Sequence, residues 1–148
     1  MSPPGRLELT RVPGVGPDAA ILGALRGAVV LEIGCGSGHN LAHLVDRHGA
    51  VGIGIDHDPA KVERARSLYG HVPGLRFVLG DAVDELGRLG PDAADVVISI
   101  FGALSFTDDL RPLLAACGRV LRPEGRFLVT IRAGEHHDQV TLLRRDSS

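Results

Sequence analysis

The sequence predicts an α/β fold with a doubly wound, mainly parallel sheet. Two observations carry that reading. From Ala28 onward, short apolar runs rich in β-branched residues alternate with segments of helical periodicity, the pattern of consecutive right-handed crossovers. A glycine cluster also stands directly after the first run, at Gly34, Gly36 and Gly38, where a strand-to-helix turn needs backbone freedom.

The elements follow in order. Ala28–Ile33 is a buried strand stopped by Gly34. Leu41, Leu44, Val45 and His48 fall on one face of a helix. Val51–Ile55 is the second strand, ending at Asp56. Asp58 then caps a second helix with Pro59 at its first position, and Val62, Ala65 and Tyr69 form its apolar stripe. Leu75–Leu79 is the third strand, and Val83, Leu86 and Leu89 mark a short helix. Asp95–Ile100 is the fourth strand. Leu110, Leu113, Leu114, Cys117, Val120 and Leu121 outline the next helix, with Thr107 or Asp108 as its cap and Pro112 tolerable only in its first turn. Arg122–Gly125 reads as a turn and Gly125–Ile131 as the fifth strand. Ahead of all this lies a Pro/Gly-rich lead-in over residues 1–16, and a short helix is expected over Asp18–Arg26.

Composition narrows the function. The 148 residues carry a formal net charge of -2, with 44% hydrophobic and 23% charged. That suits one domain with a real core and is unlike a disordered chain. There is no basic footprint for nucleic acid, no apolar stretch of about eighteen residues to span a membrane, and no secretory signal pattern at the N-terminus. Cys35 and Cys117 lack the spacing of a zinc site. A reduced, cytoplasmic enzyme or binding domain is the default expectation. Lys61 is the one lysine among 16 basic residues and aromatics make up 3%, a bias that GC-rich codon usage explains without an arginine-specific role.

The chemistry concentrates at strand ends. In doubly wound sheets, ligands sit beyond the carboxyl ends of the strands. Glu32 precedes the glycine loop, Asp56 ends the second strand about twenty residues beyond it, and Asp81 follows the third. Each has a plain structural alternative: the loop as a tight turn, Asp56 and Asp81 as helix caps. Three carboxylates at three successive strand ends are harder to explain by stability alone. A dinucleotide fits poorly, because His39 stands where the third glycine of that fingerprint belongs and Glu32 would face a pyrophosphate. A nucleoside with a cationic tail suits the carboxylates better.

Val30–Gly38 resembles the first motif of the class I S-adenosylmethionine-dependent methyltransferases. Gly54–Pro59 resembles the second, Gly80-Asp81-Ala82 the third, Asp95–Ser99 the fourth, and Arg119–Phe127 the helix-to-strand passage that follows. The likeness covers about residues 28–131. It implies a Rossmann-like sheet and S-adenosyl-L-methionine as cofactor. On that resemblance Gly34, Cys35, Gly36 and Gly38 pass the methionine part, with Glu32 near its amino group. Asp56 binds the ribose hydroxyls, His57 flanks the adenine, and Asp81 with Ala82 meets the adenine amino group. The backbone at Ser99 borders the sulfonium.

The C-terminal part departs from that pattern. The family sheet usually carries two more strands after the fifth, the last one antiparallel, and only Arg132–Ser148 remain here. The expectation is that the sixth strand of the usual fold is absent and that Gln139–Arg144 folds back antiparallel beside the fifth; a fragment or an unstructured tail is the alternative. Residues 1–27 are set apart from the 28–148 domain as an N-terminal segment and lid, whose residues 1–16 are expected to be dispensable for folding. A second subunit, in a homodimer, is the other source of cover for the site. The apolar stretch Phe101–Phe106 lacks the signature of methyltransferases acting on DNA bases, so a small-molecule acceptor is expected, with neither nucleic acid nor membrane as partner. His136 and His137 are the candidates for a general base. The competing function is a module that binds S-adenosylmethionine without transferring the methyl group.

Overall fold

The computed structural model describes residues 2–10, 14, 16–100, 109–132 and 138–146. Its strands are β1 (Val29–Ile33), β2 (Val51–Asp56), β3 (Leu75–Leu79), β4 (Ala94–Ile100), β5 (Leu121–Arg132) and β6 (Asp138–Arg144). Its helices are α1 (His39–His48), α2 (Pro59–Tyr69), α3 (Ala82–Gly87) and α4 (Arg111–Val120). The sheet order is β3-β2-β1-β4-β5-β6. The first five strands run parallel and β6 lies antiparallel to β5. The fold-back therefore exists, and strand order reverses between β1 and β4.

Alternation along the strands splits the core in two. Val30, Phe77, Val96, Ile98 and Leu128 face α1 and α2, whereas Leu31, Ile33, Ile55, Val97, Phe127 and Val129 face α3 and α4. Gly54 lets the first layer close down: a Cβ there would lie 2.9 Å from both Cys35 Sγ and Phe77. Among the described residues no helix is long and apolar enough to cross a membrane.

Several local expectations hold. Asp58 caps α2 by accepting from the Ala60 N–H, with Pro59 at its start. Asp81 caps α3 through the Asp84 N–H. Pro112 sits in the first turn of α4, where no intrahelical N–H is required. The cap expected for α4 differs: Leu110 holds that position without a side-chain bond, and Asp109 accepts from the Arg111 N–H. Thr107 and Asp108 lie outside the described residues. The short helix over Asp18–Arg26 is a single 3-10 turn, Ala19–Leu22, capped by Asp18. The turn at Arg122–Gly125 is instead a bulge inside β5. Its register jumps from Ala94↔Leu121 to Val96↔Arg126, and Glu124 takes a φ of 68°.

The N-terminal segment needs a larger correction. Leu7 and Leu9 are fully buried in the core beneath α1, together with Leu22 and Leu25. The Asn40 side chain holds the segment in register, accepting from the Glu8 N–H at 3.0 Å and donating to the Glu8 carbonyl at 3.3 Å. Leu7 and Leu9 thus place part of residues 1–16 in the core, which argues against the expectation that these residues are dispensable for folding. A leucine pair one residue apart was too short a signal to reveal this.

Candidate functional site

The glycine loop is stitched to the end of β2. The Ile55 carbonyl accepts from the N–H groups of Gly34 (2.8 Å) and Cys35 (3.1 Å). One residue later, Asp56 Oδ2 accepts from the Gly36 N–H at 2.9 Å, while its Oδ1 takes the Asp58 N–H at 2.9 Å. Gly34, Gly36 and Gly38 all adopt positive φ, at 69°, 56° and 82°. Gly38 is also crowded: a Cβ there would stand 2.5 Å from Phe77 Cζ. Gly38→Ala should thus lose about 1–3 kcal/mol of stability from backbone strain and the displaced ring. A urea titration reads this, and an unshifted midpoint would refute the crowding.

Glu32 is the least ordinary group in the site. It lies on β1 at 2% exposure. Its carboxylate takes a hydrogen bond from the Leu41 backbone, while Oε1 has no partner among the described residues. Burial, and secondarily the Asp56 charge, push its pKa up to about 8. A buried carboxylate oxygen without a donor costs free energy that a cationic ligand recovers. This is the fit for an amino group, at the end of β1 where the sequence placed one. Gly36 adds room, since a Cβ built there meets nothing within 4 Å.

Asp56 is 6% exposed and holds the loop. Each of its oxygens accepts one backbone N–H and keeps a further acceptor site, so two ribose hydroxyls remain compatible with it. Its loop-fastening role was not legible in the sequence. His57 projects outward, its side chain 90% exposed, with Nδ1 3.9 Å from Asp56 Oδ1. Asp81 is exposed beside the α3 start, with Ala82 half-buried behind it. Ser99 is fully buried at the end of β4 and its hydroxyl has no partner among the described residues. Cys35 is buried in the loop, and burial lifts its thiol well above the usual range, which disfavours the thiolate. His39 opens α1, with Nδ1 2.5 Å from the Tyr69 hydroxyl. His136, His137 and Phe101–Phe106 lie outside the described residues.

Glu32, the loop, Asp56, His57, Asp81 and Ser99 thus gather at one edge of the sheet, at the ends of β1 to β4. Comparison with known proteins identifies the family. The methyltransferase domain family matches residues 30–125. The O-methyltransferase cnsE of Penicillium expansum is 33% identical over 87% of this chain and 45% of its own length. A structure from Haloferax volcanii, a complex between the Trm112 methyltransferase activator and a methyltransferase, is similar at a TM-score of 0.67. It is 33% identical, covering 76% of this chain and 48% of the other. A Thiobacillus denitrificans S-adenosylmethionine-dependent methyltransferase, solved with S-adenosyl-L-homocysteine, gives 0.62 and 30%, covering 75% and 44%. The chain spans less than half the length of each of these proteins. By its sheet, its strand-end motifs and these similarities, the chain belongs to the methyltransferase domain family, the class I S-adenosylmethionine-dependent methyltransferases.

Proposed function

We propose that this chain transfers a methyl group from S-adenosyl-L-methionine to a small-molecule acceptor. The unpartnered buried oxygen of Glu32 beside the glycine loop carries the reading. In it, Glu32 receives the amino group, the loop from Gly34 to Gly38 passes the methionine part, and Asp56 receives the ribose hydroxyls. His57 and Asp81, with Ala82, border the adenine, and Ser99 lies nearest the reacting centre. When bound, the cofactor supplies an electrophilic methyl on a good leaving group. The protein's work is then to align the acceptor, exclude water and, for a hydroxyl, hold a base. His136 and His137 are the proposed bases, and residues 1–27 the proposed cover of the site.

Support for a small acceptor comes from the relative named as an O-methyltransferase. A protein partner also enters the proposal, since one similar structure is a complex with a methyltransferase activator. Calorimetry tests the cofactor: S-adenosylhomocysteine should bind and NAD should not. The reverse result would overturn the reading. Incubation with methyl-labelled cofactor and a small-metabolite extract then separates transfer from binding alone. Asp56→Ala should weaken S-adenosylhomocysteine by about 1.5–3 kcal/mol. It loses hydroxyl acceptors and the bond that fastens Gly36. Unchanged affinity would leave Asp56 a purely local brace.

A further inference from the structure

β6 is the outermost strand of the sheet, and its ladder shows which backbone groups it offers outward. Arg145, directly after it, points both groups inward: its N–H donates to the Gly125 carbonyl and its carbonyl accepts from Glu124 N–H. Adjacent residues of an antiparallel strand alternate in the edge they address. The β5–β6 register runs without interruption from Arg126↔Arg144 to Arg132↔Asp138. Leu143, Thr141 and Gln139 therefore bond to β5, while Arg144, Leu142 and Val140 direct their N–H and C=O groups to the outer edge.

Among the described residues, that edge lacks the usual protection. It contains no proline and no bulge, and Leu142 and Leu143 are 39% and 52% exposed. Its charges stand at its two ends and have opposite sign, Asp138 and Arg144, and the exposed Arg144 also lies 3.6 Å from Glu124 of its own chain. A strand of that composition is complementary to its own antiparallel copy. Pairing about a two-fold axis through Thr141 sets Asp138 opposite Arg144 of the second copy and Val140 opposite Leu142, each pair occurring twice. All four side chains lie on one face of the sheet, because their spacing is two. The outward backbone groups also match, Val140 of one copy meeting Leu142 of the other. A slip by one residue would pair an outward group with an inward one. A slip to the next allowed register would set Arg144 against Val140 or Asp138 against Leu142.

We infer that two copies of this chain associate through antiparallel pairing of their β6 edges, centred on Thr141, into one continuous sheet. The interface is isologous, as a two-fold dimer requires. Sedimentation equilibrium of the chain should give twice the 15.6 kDa mass. Asp138→Arg and Arg144→Asp should each shift the population to monomer, and the Asp138→Arg/Arg144→Asp double variant should restore the dimer. Circular dichroism melts establish that the variants fold. Hydrogen exchange on the unmodified chain supplies a second reading: the Val140 and Leu142 amides should gain protection as protein concentration rises. A wild-type monomer at every concentration would overturn the inference, leaving the edge to a different partner. So would a dimer indifferent to both charge reversals, a folded double variant that stays monomeric, or amide protection that ignores concentration.

Discussion

Glu32→Gln should raise the melting temperature of the ligand-free protein by several degrees at pH 8 and above, and weaken S-adenosylhomocysteine at least tenfold. Both effects come from one buried carboxylate. Its folded pKa of about 8 lies above the ordinary 4.5, because burial and the Asp56 charge disfavour the ionised form. Between those values the folded chain retains a proton that the unfolded chain releases. Wild-type stability from this group therefore falls as pH rises from about 4.5 to 8 and is level above that. Glutamine has the shape of the protonated acid and never ionises. The two proteins should melt alike near pH 5 and diverge progressively toward pH 8. A cationic amino group, by contrast, needs the ionised carboxylate. Its loss removes a charge-assisted hydrogen bond in a water-poor site, and a tenfold change corresponds to about 1.4 kcal/mol. Wild-type affinity should likewise increase from pH 6 toward 8. Melting curves across pH, with calorimetry on the same samples, decide the matter. A pH-independent difference in melting would show that Glu32 is ionised in the folded protein, and undiminished binding would remove it from the site.

Deleting residues 1–16 should unfold the chain or bring it close to unfolding. Leu7 and Leu9 are fully buried, and truncating one core leucine typically costs about 2–5 kcal/mol. Losing both, against a total stability of about 5–15 kcal/mol for a domain, takes a large share of the margin. Leu7→Ala and Leu9→Ala provide the graded version, each expected to lower the urea-derived stability within that range. A truncated protein melting at the wild-type temperature would show that the segment contributes no core. If the same segment also covers the site, cofactor affinity should fall in the single leucine variants under conditions where they remain folded.

The sheet was legible because its signals are local. Val29–Ile33, Val51–Asp56 and Leu75–Leu79 are short β-branched or apolar runs bounded by glycine or acid, and Asp58-Pro59 announces the start of α2. Even the fold-back was visible, in the alternation of Gln139–Arg144 after β5. Less visible were features that depend on two distant segments. The burial of Leu7 and Leu9 depends on α1 lying above them. The bulge at Arg122–Gly125 depends on how β5 meets Ala94 and Val96 of β4, and a sequence window there shows only turn residues.

The candidate site divides the same way. Sequence alone determined which residues stand at the strand ends, because strand length and the order of motifs set Glu32, Gly34 to Gly38, Asp56, Asp81 and Ser99 there. Tertiary structure decided what state those residues are in. Only the fold shows that Asp56 spends one bond on Gly36 and another on Asp58, or that one oxygen of Glu32 is buried without a donor. The physical reason is that position along a strand is a local property. Desolvation, charge–charge coupling and hydrogen-bond satisfaction instead depend on what other elements bring within a few ångströms, and a linear pattern does not encode those distances.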